Sequence, residues 1–295
     1  NKMLLIVIIQ ISLFPKTAST PREAFDITKR YGAALLKLHS YDSESVLYMA
    51  REFMGPSLLA LHKPKYIGSE DNVVGREESN IIVPHHCDSI GEYKSYVNDS
   101  VYVEEAPDYI ILCGNNPDSY GSGETFLADL RVAMDRIPHY YKRHLYDMNI
   151  VNNGKLERLV ISNPKNSDHT CHRINQGIMS SFSKNSTIDL IYNTEVFPKW
   201  KYDSKSSYIQ PSPYSKCPLK DMNAVEEYIN SIAYVSSTSH RFLLTPGMCV
   251  TIDNFRITHG REPFSDFTRS LWQVWLWSNE SINIPSNAGE GRAWA

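Results

Sequence analysis

The chain has 295 residues, and its 30 Lys and Arg stand against 33 Asp and Glu for a formal net charge of −3. With cations scattered among acids there is no basic field for a nucleic acid, so that class of partner is not expected. A chain of this length could hold two domains, but all-β sandwiches and barrels run to about 200–250 residues as one unit, and a single domain over residues 1–295 is the expectation.

Five cysteines, at 87, 113, 171, 217 and 249, show no short pairing and no Cys-x-x-Cys. Such a sparse, odd set reads as reduced thiols acting as small buried hydrophobes.

The run Lys2 to Phe14, followed by Thr17-Ala-Ser-Thr20, has the charged start, apolar middle and small-residue exit of a secretory signal. A β-branched run also suits an opening strand, and we read it as a strand or docked segment, too short to span a bilayer comfortably. The expected location is intracellular and cytoplasmic, with secretory or organellar targeting left open. The sequons at Asn98, Asn185 and Asn279 do not change this, because a chain rich in Asn, Ser and Thr acquires a few by chance.

Thr20-Pro-Arg-Glu23 has the form of a capping box and Gly32 that of a stop, so residues 21–31 are predicted helical. A strand follows over Ala33–Leu38. Val46, Leu47, Ala50, Phe53 and Met54 recur at helical spacing and predict a second helix from Ser43 to about His62. Ile81-Ile82-Val83-Pro84 reads as a buried strand, as does Tyr109–Cys113. Gly114 to Gly123 is a breaker-rich loop without the glycine-lysine ending of a nucleotide cradle, and a short helix is predicted over Phe126–Ile137. Residues 150–217 form the least regular stretch, with Asn152-Asn-Gly and Gln210-Pro-Ser-Pro. A long polar excursion of this kind more often serves as a lid than as a simple connection. Asp221–Val235 reads as a helix leading back to the sheet, and Leu271–Trp277 as a buried strand.

The chemistry is concentrated in His86-Cys87-Asp88 and in His259, about 170 residues later. Side chains alternate along an extended segment, so His86 and Asp88 share a face while Cys87 and His85 point away. A lone His-x-Asp is most simply a hydrogen-bonded surface pair. Delivered by a buried strand and joined by one distant His, the same residues can seat iron(II) on one face and leave three positions open for O2 chemistry. Arg269, ten residues past His259 at the mouth of the last apolar strand, is costly to bury without an anion, and its planar fork suits a carboxylate. His169 and His172 could mimic a metal cluster but lack further ligands nearby; they are read as possible substrate contacts.

His86-x-Asp88, Gly123-Glu-Thr125, Asp253-Asn-Phe-Arg-Ile-Thr-His259-Gly-Arg261 and Arg269, in that order, resemble the iron(II)/2-oxoglutarate dioxygenases of the taurine dioxygenase (TauD/TfdA) and clavaminate synthase-like family over roughly residues 25–278. The resemblance implies a mainly β fold with flanking helices, a double-stranded β-helix or jelly roll of cupin type. It implies that His86, Asp88 and His259 ligate Fe(II), that Arg269 pairs the distal carboxylate of 2-oxoglutarate, and that Thr125 adds a hydrogen bond to it. Residues 150–217 would cover the site. O2 and 2-oxoglutarate would be consumed, giving succinate, CO2 and an oxidised small molecule of amino-acid type. The outcome could be hydroxylation, desaturation or ring closure, the last as in kainoid synthase-type cyclases. Two departures stand out: Gln273 replaces a second arginine that acid-using relatives carry four residues after the first, and Pro246-Gly247-Met248 replaces Pro-Gly-Asp. The presence of Asp88 argues against a halogenase. Two alternatives stay open: a catalytically silent jelly-roll binding protein, and a zinc hydrolase with the same ligands, which leaves Arg269 and Thr125 without a role.

Overall fold

A computed structural model of the protein describes residues 15–68, 83–88, 92–96, 99–103, 106–145, 149–152, 155–158, 161–162, 170–171, 189–193, 197–201, 208–210, 218–266, 268–281, 284–285 and 288–290. The expectations for Lys2–Phe14, Ile81-Ile82, the sequons at Asn98 and Asn185, and His169 and His172 lie outside these residues, as does the side chain of His85.

Strand β1 (Lys16–Ala18) leads into helix α1 (Pro21–Tyr31), β2 (Ala33–Lys37), α2 (Ser43–Met54), β3 (Leu58–Leu61) and β4 (Lys65–Gly68). Then come β5 (Val83–His86), β6 (Glu92–Tyr96), β7 (Asp99–Val103), β8 (Tyr109–Asn116) and β9 (Thr125–Asp129). Helices α3 (Leu130–Arg136) and α4 (His139–Leu145) precede the short strands β10 (Asn149–Asn152), β11 (Lys155–Arg158), β12 (Ile161–Ser162), β13 (Thr170–Cys171), β14 (Asp189–Asn193), β15 (Phe197–Lys201) and β16 (Tyr208–Gln210). Helix α5 (Pro218–Ser237) returns the chain to β17 (His240–Phe242), β18 (Met248–Asp253), β19 (Ile257–Arg261), β20 (Ser270–Ser278) and β21 (Gly289–Glu290).

The capping logic of α1 is as read. The Thr20 side chain accepts from Glu23 N, the Glu23 carboxylate accepts from Ser19 N, one residue before the cap, at 2.7 Å, and Gly32 closes the helix at φ 94°. Helix α2 ends eight residues earlier than the helical spacing suggested. Gly55-Pro56 breaks it, and Leu58–Leu61 pairs with β20 instead. Phe126–Ile137 is likewise two elements. Thr125–Asp129 is drawn into a strand between β19 and β17, and the helix starts only where the Asp129 carboxylate caps Arg131 N. Pairing with two neighbours overrides local helix propensity there.

The main body is two sheets. The larger runs β1-β2-β18-β8-β20-β3-β21 with β4 also on β20; the smaller runs β17-β9-β19-β5. Alternation in β8 shows how one strand serves two layers. Ile110 and Leu112 join Leu127, Ile257, Val250, Ile252 and Leu271 in a core between the sheets, whereas Ile111 and Cys113 face the outer core made with Phe25, Met49, Phe53 and Met54 of α1 and α2. This mainly β sandwich with outer helices is the cupin-type double-stranded β-helix. Among the described residues, strands β10, β11, β14, β15 and β16 form a separate sheet that shares no strand pairing with either.

The reading of all five cysteines as thiols is corrected. Cys113 and Cys249 lie directly opposite each other on β8 and β18, with Cα atoms 4.0 Å apart, and form a disulfide. The linear spacing of 136 residues carried no hint of this, because the register of two antiparallel strands created the juxtaposition. Cys87 keeps its thiol, buried and directed toward the Ile257 carbonyl at 3.9 Å. Peptide mapping under non-reducing conditions should recover a Cys113–Cys249 linked pair. The double variant Cys113→Ala/Cys249→Ala should lose about 2–5 kcal/mol in a denaturant titration, the usual worth of a bridge closing a long loop.

Candidate metal centre

The small sheet brings the two histidines together. His259 in the middle of β19 pairs in register with His86 at the end of β5, and opposed residues of an antiparallel pair share a face. Their rings lie 4.4 Å apart between centroids. Asp88, just past β5, turns its Oδ1 to both, 3.3 Å from His86 Nε2 and 3.7 Å from His259 Nε2. One ligand atom from each of the three residues falls within 4.8 Å of the others, a spacing that suits a single metal ion.

Three side chains from two other segments hold Asp88. Its Oδ2 accepts from Gln273 Nε2 at 2.9 Å and from Trp275 Nε1 at 2.7 Å. Its main chain is clamped by Asn254, whose Oδ1 accepts from Asp88 N at 2.9 Å while Nδ2 donates to Asp88 O at 2.6 Å and to Pro107 O at 2.9 Å. Asn254 sits in the tight turn between β18 and β19. There Asp253 Oδ1 accepts from Phe255 N at 3.0 Å, and Arg256 grips Asp129 through Nε at 2.9 Å and Nη2 at 2.5 Å. Every polar residue of Asp253-Asn-Phe-Arg256 thus has a structural task that delivers His259 and Asp88 to one point.

Electrostatics favour metal ligation. Burial raises the Asp88 pKa, but His259 and His86 alongside it, together with the Trp275 N–H, more than offset this and keep the carboxyl ionised. Burial, then the neighbouring His86, pushes the His259 pKa down to about 4, with Asp88 opposing. At neutral pH the imidazole is uncharged and has a lone pair to give. A carboxylate, this neutral imidazole and a second histidine beside them are a donor set that fits a first-row divalent ion.

Arg269 lies buried at the entry to β20, and Nη2 donates to Gly123 O at 3.0 Å. Burial pushes its pKa down to about 10, partly countered by Asp118, so it stays charged at neutral pH. Gly123 is at φ 76°, and a Cβ there would fall 2.8 Å from Arg269 Nε. The glycine therefore makes room for the guanidinium. Two loops are stitched around this pair. Asp118 Oδ2 accepts from Ser265 N at 2.9 Å and Asp266 N at 2.8 Å, and Asp266 returns a bond from Ser119 N at 3.0 Å. Thr125, buried, opposes Arg261 in register two places from the Leu127–His259 pair, so it faces the same inner space as His259.

The sequence reading named His86, Asp88, His259, Thr125 and Arg269 as site residues. The structure brings the first three together and sets Thr125 on β9, beside β19, and Arg269 at the entry to β20. Asn254, Gln273 and Trp275 were not picked out. Gln273 was seen only as a missing arginine and Trp275 only as part of an apolar run. The signal lay in period two, which puts residues 273 and 275 on one face of the strand that follows Arg269.

Two histidines and one carboxylate at the end of adjoining strands of a jelly roll form a donor set for one metal ion. Residues 15–275 match the family described as taurine catabolism dioxygenase TauD, TfdA family. The chain belongs to that family and, as a member, is an iron(II)- and 2-oxoglutarate-dependent dioxygenase. Among solved structures, asparagine oxygenase (AsnO) is similar at a TM-score of 0.53 with 13% identity, covering 88% of this chain and 78% of that one. PvcB, an Fe, alpha-ketoglutarate dependent oxygenase from an isonitrile synthetic pathway, is similar at 0.51 with 13% identity over 90% and 81%. A taurine dioxygenase from Burkholderia xenovorans is similar at 0.51 with 14% identity over 86% and 79%. No curated protein sequence matches the chain.

The Asn254 clamp carries a prediction. Asn254→Ala leaves Asp88 N–H and two carbonyls unsatisfied in a buried site, and should lower unfolding free energy by about 2–4 kcal/mol in urea titration.

Proposed function

We propose that the protein oxidises an unactivated C–H bond of a small, amino-acid-derived metabolite, with His86, Asp88 and His259 holding Fe(II) and with Arg269 and Thr125 holding the far carboxylate of 2-oxoglutarate. The observation that carries this reading is the meeting of the three donors, with Asp88 Oδ1 within 3.7 Å of both imidazoles, on the strand system that also presents a buried arginine. When bound, ferrous iron and its keto-acid co-substrate couple O2 to hydrogen abstraction, with 2-oxoglutarate leaving as succinate and CO2. The chain's residues do the placing. Arg269 is a fixed, buried cation with a planar fork for a carboxylate, and the glycine at 123 keeps its seat open. A zinc hydrolase would need neither Arg269 nor that seat.

Gln273 brings no positive charge to the inner face of β20 and spends its amide N–H on Asp88, so a strongly acidic substrate group has no cation there. Asparagine oxygenase, solved with Fe(II), 2S,3S-3-hydroxyasparagine and succinate, supports the amino-acid class, with hydroxylation as the default outcome and ring closure or desaturation as variants. We further read the whole chain as one dioxygenase domain in which residues 150–217 are an insertion over the site, because their strands pair mainly among themselves. No helix among the described residues is long and apolar enough to cross a membrane. Against the cytoplasmic expectation, the buried Cys113–Cys249 bridge favours an oxidising compartment, reached by the targeting left open above.

Anaerobic addition of Fe(II) and 2-oxoglutarate should produce a weak visible metal-to-ligand charge-transfer band. His259→Ala should abolish it, whereas Arg269→Ala should retain the metal and raise the 2-oxoglutarate concentration needed by about 10-fold or more, the loss of a charge-assisted pair of roughly 1.5–3 kcal/mol. A band that survives His259→Ala overturns the ligand assignment.

A further inference from the structure

Gln273 and Trp275 lie two residues apart on β20, so both side chains leave the large sheet on one side. Both end on the same atom. Gln273 Nε2 and Trp275 Nε1 donate to Asp88 Oδ2 at 2.9 and 2.7 Å, while the two histidine nitrogens face the other oxygen, Oδ1. A carboxylate left alone offers two equivalent oxygens and can bind a metal through one or both. Here one oxygen already has a hydrogen bond for each of its in-plane lone pairs.

We propose that Gln273 and Trp275 are positioning residues that fix Asp88 as a one-oxygen ligand. The inference rests on the metal reading above and says how that site keeps its open positions. Coordination arithmetic gives it weight. Two imidazoles and one carboxylate oxygen take half of an octahedral shell, and a chelating keto acid takes two more places, leaving one. If Asp88 bound through both oxygens, that last place would be lost. The choice of residue types fits. An indole N–H donates and cannot accept or ligate, and an amide N–H is neutral, so neither cancels the charge that Asp88 offers the metal. The two donors also come from the opposite sheet to the histidines, so the carboxylate is held from behind.

The test uses the metal-free protein and Co(II), followed by its ligand-field absorption, which reports affinity and coordination without turnover. Gln273→Met keeps the side-chain volume and removes the donor; Trp275→Phe keeps most of the ring and removes the N–H. Each should weaken Co(II) binding about 10-fold, and the pair together about 100-fold, the scale on which outer contacts tune metal affinity. The absorption spectrum should shift as Asp88 gains a second bonding mode. Melting curves of the metal-free variants show how much of each sample is folded, and the single variants carry the test if the double one does not fold. Single variants that bind Co(II) within about threefold of the parent, with an unchanged spectrum, overturn the proposal. A parent protein that binds no Co(II) at all is a separate outcome and sinks the metal reading itself.

Discussion

A buried carboxylate joins the two sheets. Taking a charge such as Asp88 out of water costs several kcal/mol unless it is paired and hydrogen-bonded. The fold meets that cost from four directions: imidazoles of β5 and β19 on Oδ1, the amide and indole of β20 on Oδ2, and the Asn254 clamp on the main chain. The same contacts make the interior of the sandwich specific, since a slip of β20 by one residue would turn both donors away from Asp88 and leave it unsatisfied.

The scaffold is arranged to keep that point fixed. The β18–β19 turn is pinned by the Arg256–Asp129 ion pair and by Asp253 on Phe255 N, so His259 enters its strand at a set angle. On the far side of the large sheet, α1 and α2 bury Phe25, Phe53 and Met54 against Ile111 and Leu276. That outer layer, with the Cys113–Cys249 bridge inside it, stiffens the sheet from which Gln273 and Trp275 project. At the other end of β20 the Asp118 and Asp266 carboxylates tie two loops around Arg269. Strand β20 thus carries the two donors that hold Asp88 and starts directly after the buried cation.

Much of this was legible beforehand, and the reasons differ by residue. His86, Asp88 and His259 could be read because ligand chemistry admits few residue types and the alternation of a strand fixes which of them can cooperate. Helix α1 could be read because its caps are local. What escaped was decided by partners far along the chain. Thr125–Asp129 carries helix-compatible residues but lies between two strands that demand extended backbone. Cys113 and Cys249 meet only because β8 and β18 pair in that register. Gln273 and Trp275 look like one more polar break and one more apolar residue until Asp88 is placed opposite them. Gly55-Pro56 is the exception: a local breaker that should have ended α2 in the reading, outweighed there by apolar spacing that runs on past it.

The most direct measurement of the central claim is the position of iron itself. Crystals grown anaerobically with Fe(II) and measured at the iron absorption edge should show one anomalous peak, about 2.0–2.3 Å from His86 Nε2, Asp88 Oδ1 and His259 Nε2, with Asp88 Oδ2 still on Gln273 and Trp275. A peak elsewhere, or one that lacks any of these three atoms, would contradict the account.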